Sequence, residues 1–223
     1  MIYLNFHTHL SQPSPEVCSI VNILNPDQIG NALSGSGYFS VGIHPWHIHP
    51  DHWEEDVSTV EQYIHNKKVL AIGEAGLDRL TDLPLDIQLE VFKSMVRLSE
   101  ISRKPLIIHS VRTHAEVLLL HRQLKPEQPW IIHGFNLRLS VAKAFLDQGF
   151  YLSFGQAILQ HHSAAVNAMI NTPLSRLFLE TDDSQTDIRI IYERAAQLLN
   201  IDVQDLGEII INTFNKITNN ERA

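Results

Sequence analysis

Short apolar runs recur along the chain, and most are followed by a segment whose apolar residues return every three or four positions. The runs cover Ile2 to Leu10, Cys18 to Leu24, Tyr38 to Ile43, Val69 to Gly73, Pro105 to Ile108, Trp130 to Ile132, Phe150 to Phe154 and Leu177 to Glu180. Brief apolar runs bounded by turn formers are the pattern of buried strands. Helices are predicted over Asp51 to Asn66, Leu85 to Ser102, Thr113 to Leu124, Leu139 to Asp147, Ala157 to Ile170 and Asp187 to Leu199, and an amphipathic segment follows from Val203 to Ile217. Strands that alternate with helices build a parallel sheet from βαβ units. The closed TIM-type (β/α)8 barrel is the natural solution for this α/β chain, with an open doubly wound sheet as the competitor. At 223 residues the barrel is compact, the first two crossovers are too short for full helices, and the last segment is an extra C-terminal helix.

Polar residues fall in one kind of place. His7, His9, His44, Glu74, His109, His133 and Asp182 each sit at or just past the C-terminal end of a predicted strand, where barrel active sites are built. On a strand, residues two apart share a face, so His7 and His9 project side by side. The chain holds 13 histidines, and imidazole with carboxylate is a donor set for first-row divalent cations. A pair of such ions about 3.5 to 4 Å apart can activate a water and stabilise charge on a phosphoryl or carbonyl oxygen. The set therefore points to hydrolysis.

Composition sets the remaining bounds. No linker, internal repeat or low-complexity tract divides the chain, so residues 1–223 are expected to form one domain. No apolar stretch approaches the roughly 18 residues of a membrane span, and no secretory leader is expected. Cys18 is the only cysteine, which suits a reducing cytoplasm. The net charge of -8 runs against a basic nucleic-acid-binding surface, so a phosphate substrate has to be met by local positive charge. No protein partner is implied, and a monomer is expected.

Six stretches carry a resemblance. Phe6-His7-Thr8-His9-Leu10, Gly42-Ile43-His44-Pro45, Ile72-Gly73-Glu74-Ala75-Gly76-Leu77-Asp78, Ile107-Ile108-His109-Ser110, Ile132-His133-Gly134-Phe135 and Leu179-Glu180-Thr181-Asp182 occur in this order. Together they resemble the TatD family of metal-dependent hydrolases, in the amidohydrolase superfamily, over residues 2 to 217. The resemblance implies a TIM barrel with two divalent cations, magnesium, manganese or zinc, and nuclease cleavage of DNA, on single strands or ends. It implies that His7, His9, Glu74 and Asp182 hold one ion, and that Glu74, His109 and His133 hold the second. Asp182 would orient or deprotonate the attacking water, and His44 would donate a hydrogen bond to the scissile phosphate.

The chain also departs from the family pattern. After Asp182 it runs through Asp183-Ser184-Gln185-Thr186-Asp187 directly into a predicted helix, where many members carry a long basic loop. Arg112 is displaced by one position from the commoner arrangement after His109, and Arg79 and Arg112 are the nearest candidate substrate-binding cations. Trp46 can stack on a base or pack over the barrel mouth. His47, His49 and His52 surround Trp46 and are either a peripheral metal site or solvated loop histidines, while Asp78 and Asp183 are candidates to orient the ligating imidazoles. Two other readings stay open: the same centre acting on a small ester, lactone or amide, and a metal-binding barrel without catalysis.

Overall fold

The strands are β1 (Tyr3–Thr8), β2 (Val17–Ile23), β3 (Tyr38–Val41), β4 (Val69–Asp78), β5 (Leu106–Val111), β6 (Trp130–Ile132), β7 (Tyr151–Phe154) and β8 (Leu177–Leu179). The helices are α1 (Ile29–Ser34), α2 (Trp53–Glu61), α3 (Leu85–Ser102), α4 (His114–Leu124), α5 (Leu139–Leu146), α6 (Ala164–Ile170), α7 (Ile188–Leu199) and α8 (Val203–Thr218). The computed structural model describes residues 3–10 and 14–218. Ile2, the first residue of the first expected strand, lies outside the described residues. All eight strands belong to one sheet in sequential order, which is the strand order of a (β/α)8 barrel of the TIM type. No described helix is long and apolar enough to cross a membrane.

By internal contacts the chain divides into two compact units, residues 1–21 with 132–223, and residues 22–131. In the first unit, β1 is joined to the end of β8. The His9 N–H donates to the Asp182 carbonyl at 3.0 Å and the Asp182 N–H to the His7 carbonyl at 3.1 Å. Asn5 reinforces this join by donating to Thr181 Oγ1 at 2.8 Å and accepting the Thr181 N–H at 3.0 Å. Beneath it, Phe6 stacks on Phe178 with centroids 4.3 Å apart, and Phe214 of α8 meets Phe6 edge to face. The extra C-terminal helix is thus packed on β1, burying Leu206, Ile210, Phe214 and Ile217. Tyr192 of α7, fully buried, donates to the Leu4 carbonyl at 3.0 Å and accepts the Leu4 N–H at 3.3 Å.

In the second unit the sequence expectation needs two corrections. The strand expected to end at His109 continues to Val111, and the strand expected to close at Glu74 continues to Asp78, so Glu74 lies inside β4 and not at its end. Every residue of β4 is buried, and pairing with β5 resumes past a register shift, with Ala75 opposite Ile108 and Gly76 opposite His109. The cause is the glycine pair: a methyl group on Gly76 would overlap the His109 carbonyl oxygen, and only a residue without Cβ lets the strands run this close. A further difference lies in the first unit, where the helix expected over Ala157 to Ile170 is broken. A 3-10 turn covers Gln156–Leu159 and α6 begins only at Ala164, with His161 and His162 exposed in the gap.

Gly76→Ala tests the close approach. It is expected to destabilise the protein by about 2 kcal/mol or more through overpacking, read as a lowered midpoint of denaturant unfolding. A midpoint equal to that of the unchanged protein would show that β4 and β5 have room to separate.

Candidate metal centre

Each unit contains a group of imidazole and carboxylate side chains, and each group is produced by the strand geometry just described. In the first unit His7 is fully buried on β1, and His9 follows two residues later with its ring 5.0 Å from that of His7. The hydrogen bonds between β1 and the residues after β8 bring Asp182 beside them: its Oδ1 is 3.2 Å from His9 Nε2 and 3.6 Å from His7 Nε2. Asp182 has φ of 55°, the left-handed region that Asp tolerates better than most residues, and its side chain is 36% exposed. His133, just past β6, places its ring 4.6 Å from His7. One donor atom each from His7, His133 and Asp182 lie within 4.8 Å of one another.

In the second unit, donor atoms of His44, Glu74 and His109 are equally close. Glu74 is buried, its Oε1 lying 2.9 Å from His109 Nδ1 and 3.2 Å from His44 Nε2. Its backbone is held too, by a 2.8 Å bond from its N–H to Asn22 Oδ1. The His44 ring follows from its neighbour: Nδ1 accepts the Trp46 N–H at 3.1 Å, so the ring proton sits on Nε2 and points at Glu74.

Two carboxylates outside these groups orient the histidines. Asp78 Oδ2 lies 3.1 Å from His109 Nε2 and accepts the Trp46 Nε1–H at 2.7 Å, while Oδ1 accepts the Leu80 N–H at 2.7 Å. Burial alone would push the Asp78 carboxyl up, but the bonds from Leu80, Trp46 and His109 outweigh it and hold it below the usual carboxylate range. An Nε2–H donated to this anion leaves Nδ1 as the ligating nitrogen of His109, on the Glu74 side. Asp78 is therefore a partner of the kind expected, and its backbone is clamped by Gln88, which accepts the Asp78 N–H and donates to the Asp78 carbonyl. Asp183, the other candidate, is exposed.

Glu180 was not legible as a site residue. It is fully buried, accepts the Gly134 N–H through Oε1 at 2.6 Å, and lies 3.4 Å from His133 Nδ1. Its Oε2 is buried without a hydrogen-bond partner among the described residues. The signal was there: an ionisable residue that directly continues an all-apolar strand, Leu177-Phe178-Leu179, is buried and needs partners.

The remaining candidates fall elsewhere. Arg79 pairs with Glu116 at 2.5 Å, with its side chain about half exposed. Arg112 is exposed at a left-handed turn between β5 and α4. His49 and His52 have rings 4.7 Å apart, and His52 Nδ1 is 3.7 Å from Asp56 Oδ2, but they do not form one of the close groups of three found among the described residues. Nitrogen and oxygen donors at this spacing, with carboxylates behind the imidazoles, fit a first-row divalent cation.

Comparison with known proteins agrees with this chemistry. The family described as TatD related DNase matches residues 22–219. An uncharacterized metal-dependent hydrolase of Bacillus subtilis, YabD, is 33% identical over 148 residues, which is 65% of this chain and 58% of that protein. One from Haemophilus influenzae is 30% identical over 152 residues, with the same 65% and 58% coverage. The matched stretch thus spans a little under three fifths of these relatives. Among solved structures, the TatD homologue YjjV of Escherichia coli superimposes with a TM-score of 0.82 at 21% identity, covering 97% of this chain and 98% of that one. A TatD family hydrolase from Entamoeba histolytica gives 0.78 at 14% identity, covering 98% of each chain. At these identities the structures speak for the barrel fold.

Asp78→Asn and Glu180→Gln, measured by calorimetric titration of stripped protein with Mn²⁺ or Zn²⁺, are each expected to weaken binding by roughly ten- to hundredfold. Unchanged affinity in either variant would reduce that carboxylate to a packing role.

Proposed function

This chain belongs to the TatD-related DNase family, and on that premise we propose that it is a metal-dependent hydrolase, in particular a phosphodiesterase acting on single-stranded DNA or DNA ends. The observation that supports the reading is the pair of imidazole-carboxylate groups, each with a further carboxylate beside one of its histidines. The cofactor in this reading is two divalent cations, magnesium, manganese or zinc. His7, His9, Asp182 and His133 are donors in one unit and Glu74 and His109 in the other, and the motif pattern implies that Glu74 serves both ions. The geometry groups His133 with His7 and Asp182, whereas the motifs assign it alongside His109.

Cations in such a site lower the pKa of bound water and neutralise charge on the phosphoryl group. The chain's own residues then have defined tasks. Asp182, flanked by His7 and His9 and open to solvent on one side, is placed to take the proton of the attacking water. His44, its ring proton fixed on Nε2 by the Trp46 N–H, is a donor for a phosphate oxygen. Glu74 is buried and held by Asn22 at its backbone, which suits a ligand better than a mobile base. Arg112 is the exposed cation available for a substrate phosphate, since Arg79 is engaged by Glu116. The proposal includes action as a cytoplasmic monomer.

Cleavage of end-labelled single-stranded DNA by stripped protein is expected to be absent, to return with added Mg²⁺, Mn²⁺ or Zn²⁺, and to fall about a hundredfold or more in Glu74→Gln and Asp182→Asn. Folded, metal-loaded protein that leaves DNA intact but hydrolyses a small ester, lactone or amide would replace the DNA reading, and stoichiometric metal with no turnover on any ester would leave a metal-binding barrel.

A further inference from the structure

We infer that Trp46 is a stacking platform for a nucleobase of the substrate, beside the scissile phosphodiester; the inference rests on the phosphodiesterase reading above. Trp46 is 64% exposed, whereas Trp130 is 1% exposed in the core. Burial of apolar area, the usual reason for a tryptophan's position, therefore accounts for little of this one.

The residue is nevertheless held at two points, one on its backbone and one on its ring. Its backbone N–H donates to His44 Nδ1 at 3.1 Å, within the 3-10 turn Pro45–His47, and its Nε1–H donates to Asp78 Oδ2 at 2.7 Å. Asp78 is itself buried, and the indole is anchored to the same carboxylate that faces His109. The ring meets His44 and His109 nearly at right angles, at 88° and 70°, with centroids 5.3 and 6.2 Å away. The other oxygen of Asp78 fixes the backbone of Leu80, a second exposed apolar residue at 61%. One buried carboxylate thus holds the exposed indole beside the rings of His44 and His109.

A fixed indole next to those rings is suited to one part of a phosphodiester substrate. Sugars and alkyl esters offer no π face, whereas every nucleobase does, and stacking on an aromatic side chain tolerates any base. Because the ring is already held, little side-chain freedom is lost when a base lands on it. Stacking also suits an acidic chain: the net charge is -8 and Arg79 is engaged by Glu116, so little of the affinity can come from a basic groove.

The first experiment titrates metal-stripped protein with dAMP and follows tryptophan fluorescence, with Trp46→Phe as the control because two other tryptophans remain among the three. Saturable quenching that is absent in Trp46→Phe is expected, and no Trp46-dependent signal overturns the inference. The second measures KM and kcat with metal-loaded enzyme on a thymidine dinucleotide and on analogues lacking either base. Loss of the stacked base in the unchanged protein, and Trp46→Ala on the full dinucleotide, are each expected to raise KM by roughly ten- to hundredfold, while Trp46→Phe, which keeps a ring, stays within about threefold. Equal losses in Trp46→Phe and Trp46→Ala would mean that Trp46 acts only through Asp78 and would overturn it. So would an undiminished preference for the base in Trp46→Ala. Quenching by dAMP without cleavage of any phosphodiester would leave the stacking site standing and sink the nuclease reading. Cleavage without base preference or quenching would do the reverse.

Discussion

A carboxylate taken out of water has to be paired, since the unpaired ion costs several kcal/mol even after the protein relaxes. Glu74, Asp78 and Glu180 are at most 3% exposed, and much of the local structure exists to meet their needs. Asn22 turns its oxygen to the Glu74 N–H and takes a bond from Ser40. Gln88, a polar residue on the buried face of α3, is there because its amide closes both backbone bonds of Asp78. Gly76 keeps β4 close enough to His109 for the register that sets Asp78 beside Val111. Replacing Asn22 or Gln88 with an apolar residue of similar size would keep the packing and orphan a buried backbone group.

The same pairing decides which histidine nitrogen faces which way. An imidazole in water exchanges its two tautomers freely, but one whose second nitrogen is engaged does not. His44 is set by the Trp46 N–H on Nδ1, His109 by Asp78 on Nε2, and His133 is approached by Glu180 on Nδ1. The His44 ring thus presents Nε2 and the His109 ring Nδ1, each for a reason traceable to a neighbour a few residues from a strand end. Preset rings lose little freedom when a cation arrives, so the binding energy of the ion is not spent on ordering its ligands.

How much of this the sequence disclosed follows from the range of the forces involved. Strands and helices were legible because periodic burial leaves a periodic pattern: Leu85 to Ser102 and Trp130 to Ile132 are found within the expected bounds. The donor residues were legible because ligand types ending apolar runs are conspicuous. What stayed hidden depended on close approach or long-range pairing. Glu74 was expected to end its strand because glycine usually does so, yet here Gly73 and Gly76 permit the sheet to continue. The break before α6 was masked by the apolar and helix-favouring residues on both sides of Gln160 to Ser163. Glu180 and Gln88 were missed because their partners, Gly134 and Asp78, lie 46 and 10 residues away.

The acidic charge can be weighed against a DNA substrate with the same physics. A charge of -8 spread over the surface acts through a screening length of about 8 Å at physiological ionic strength, so most of it is not felt at a given strand end. What a phosphate meets is the local set: His44 with its proton on Nε2, the imidazoles, the cations those groups are suited to hold, and the exposed Arg112. On the proposed phosphodiesterase reading these groups would meet one phosphodiester, and they do not extend along a strand. The chain between Asp182 and α7 is short and includes Asp183 and Asp187, and Asp187 is committed to Arg189 and the N-terminus of α7. Few further phosphates can therefore be gripped by charge. On the proposed reading the substrate is held at the point of chemistry and by its neighbouring groups, which would favour short strands and free ends over long duplexes.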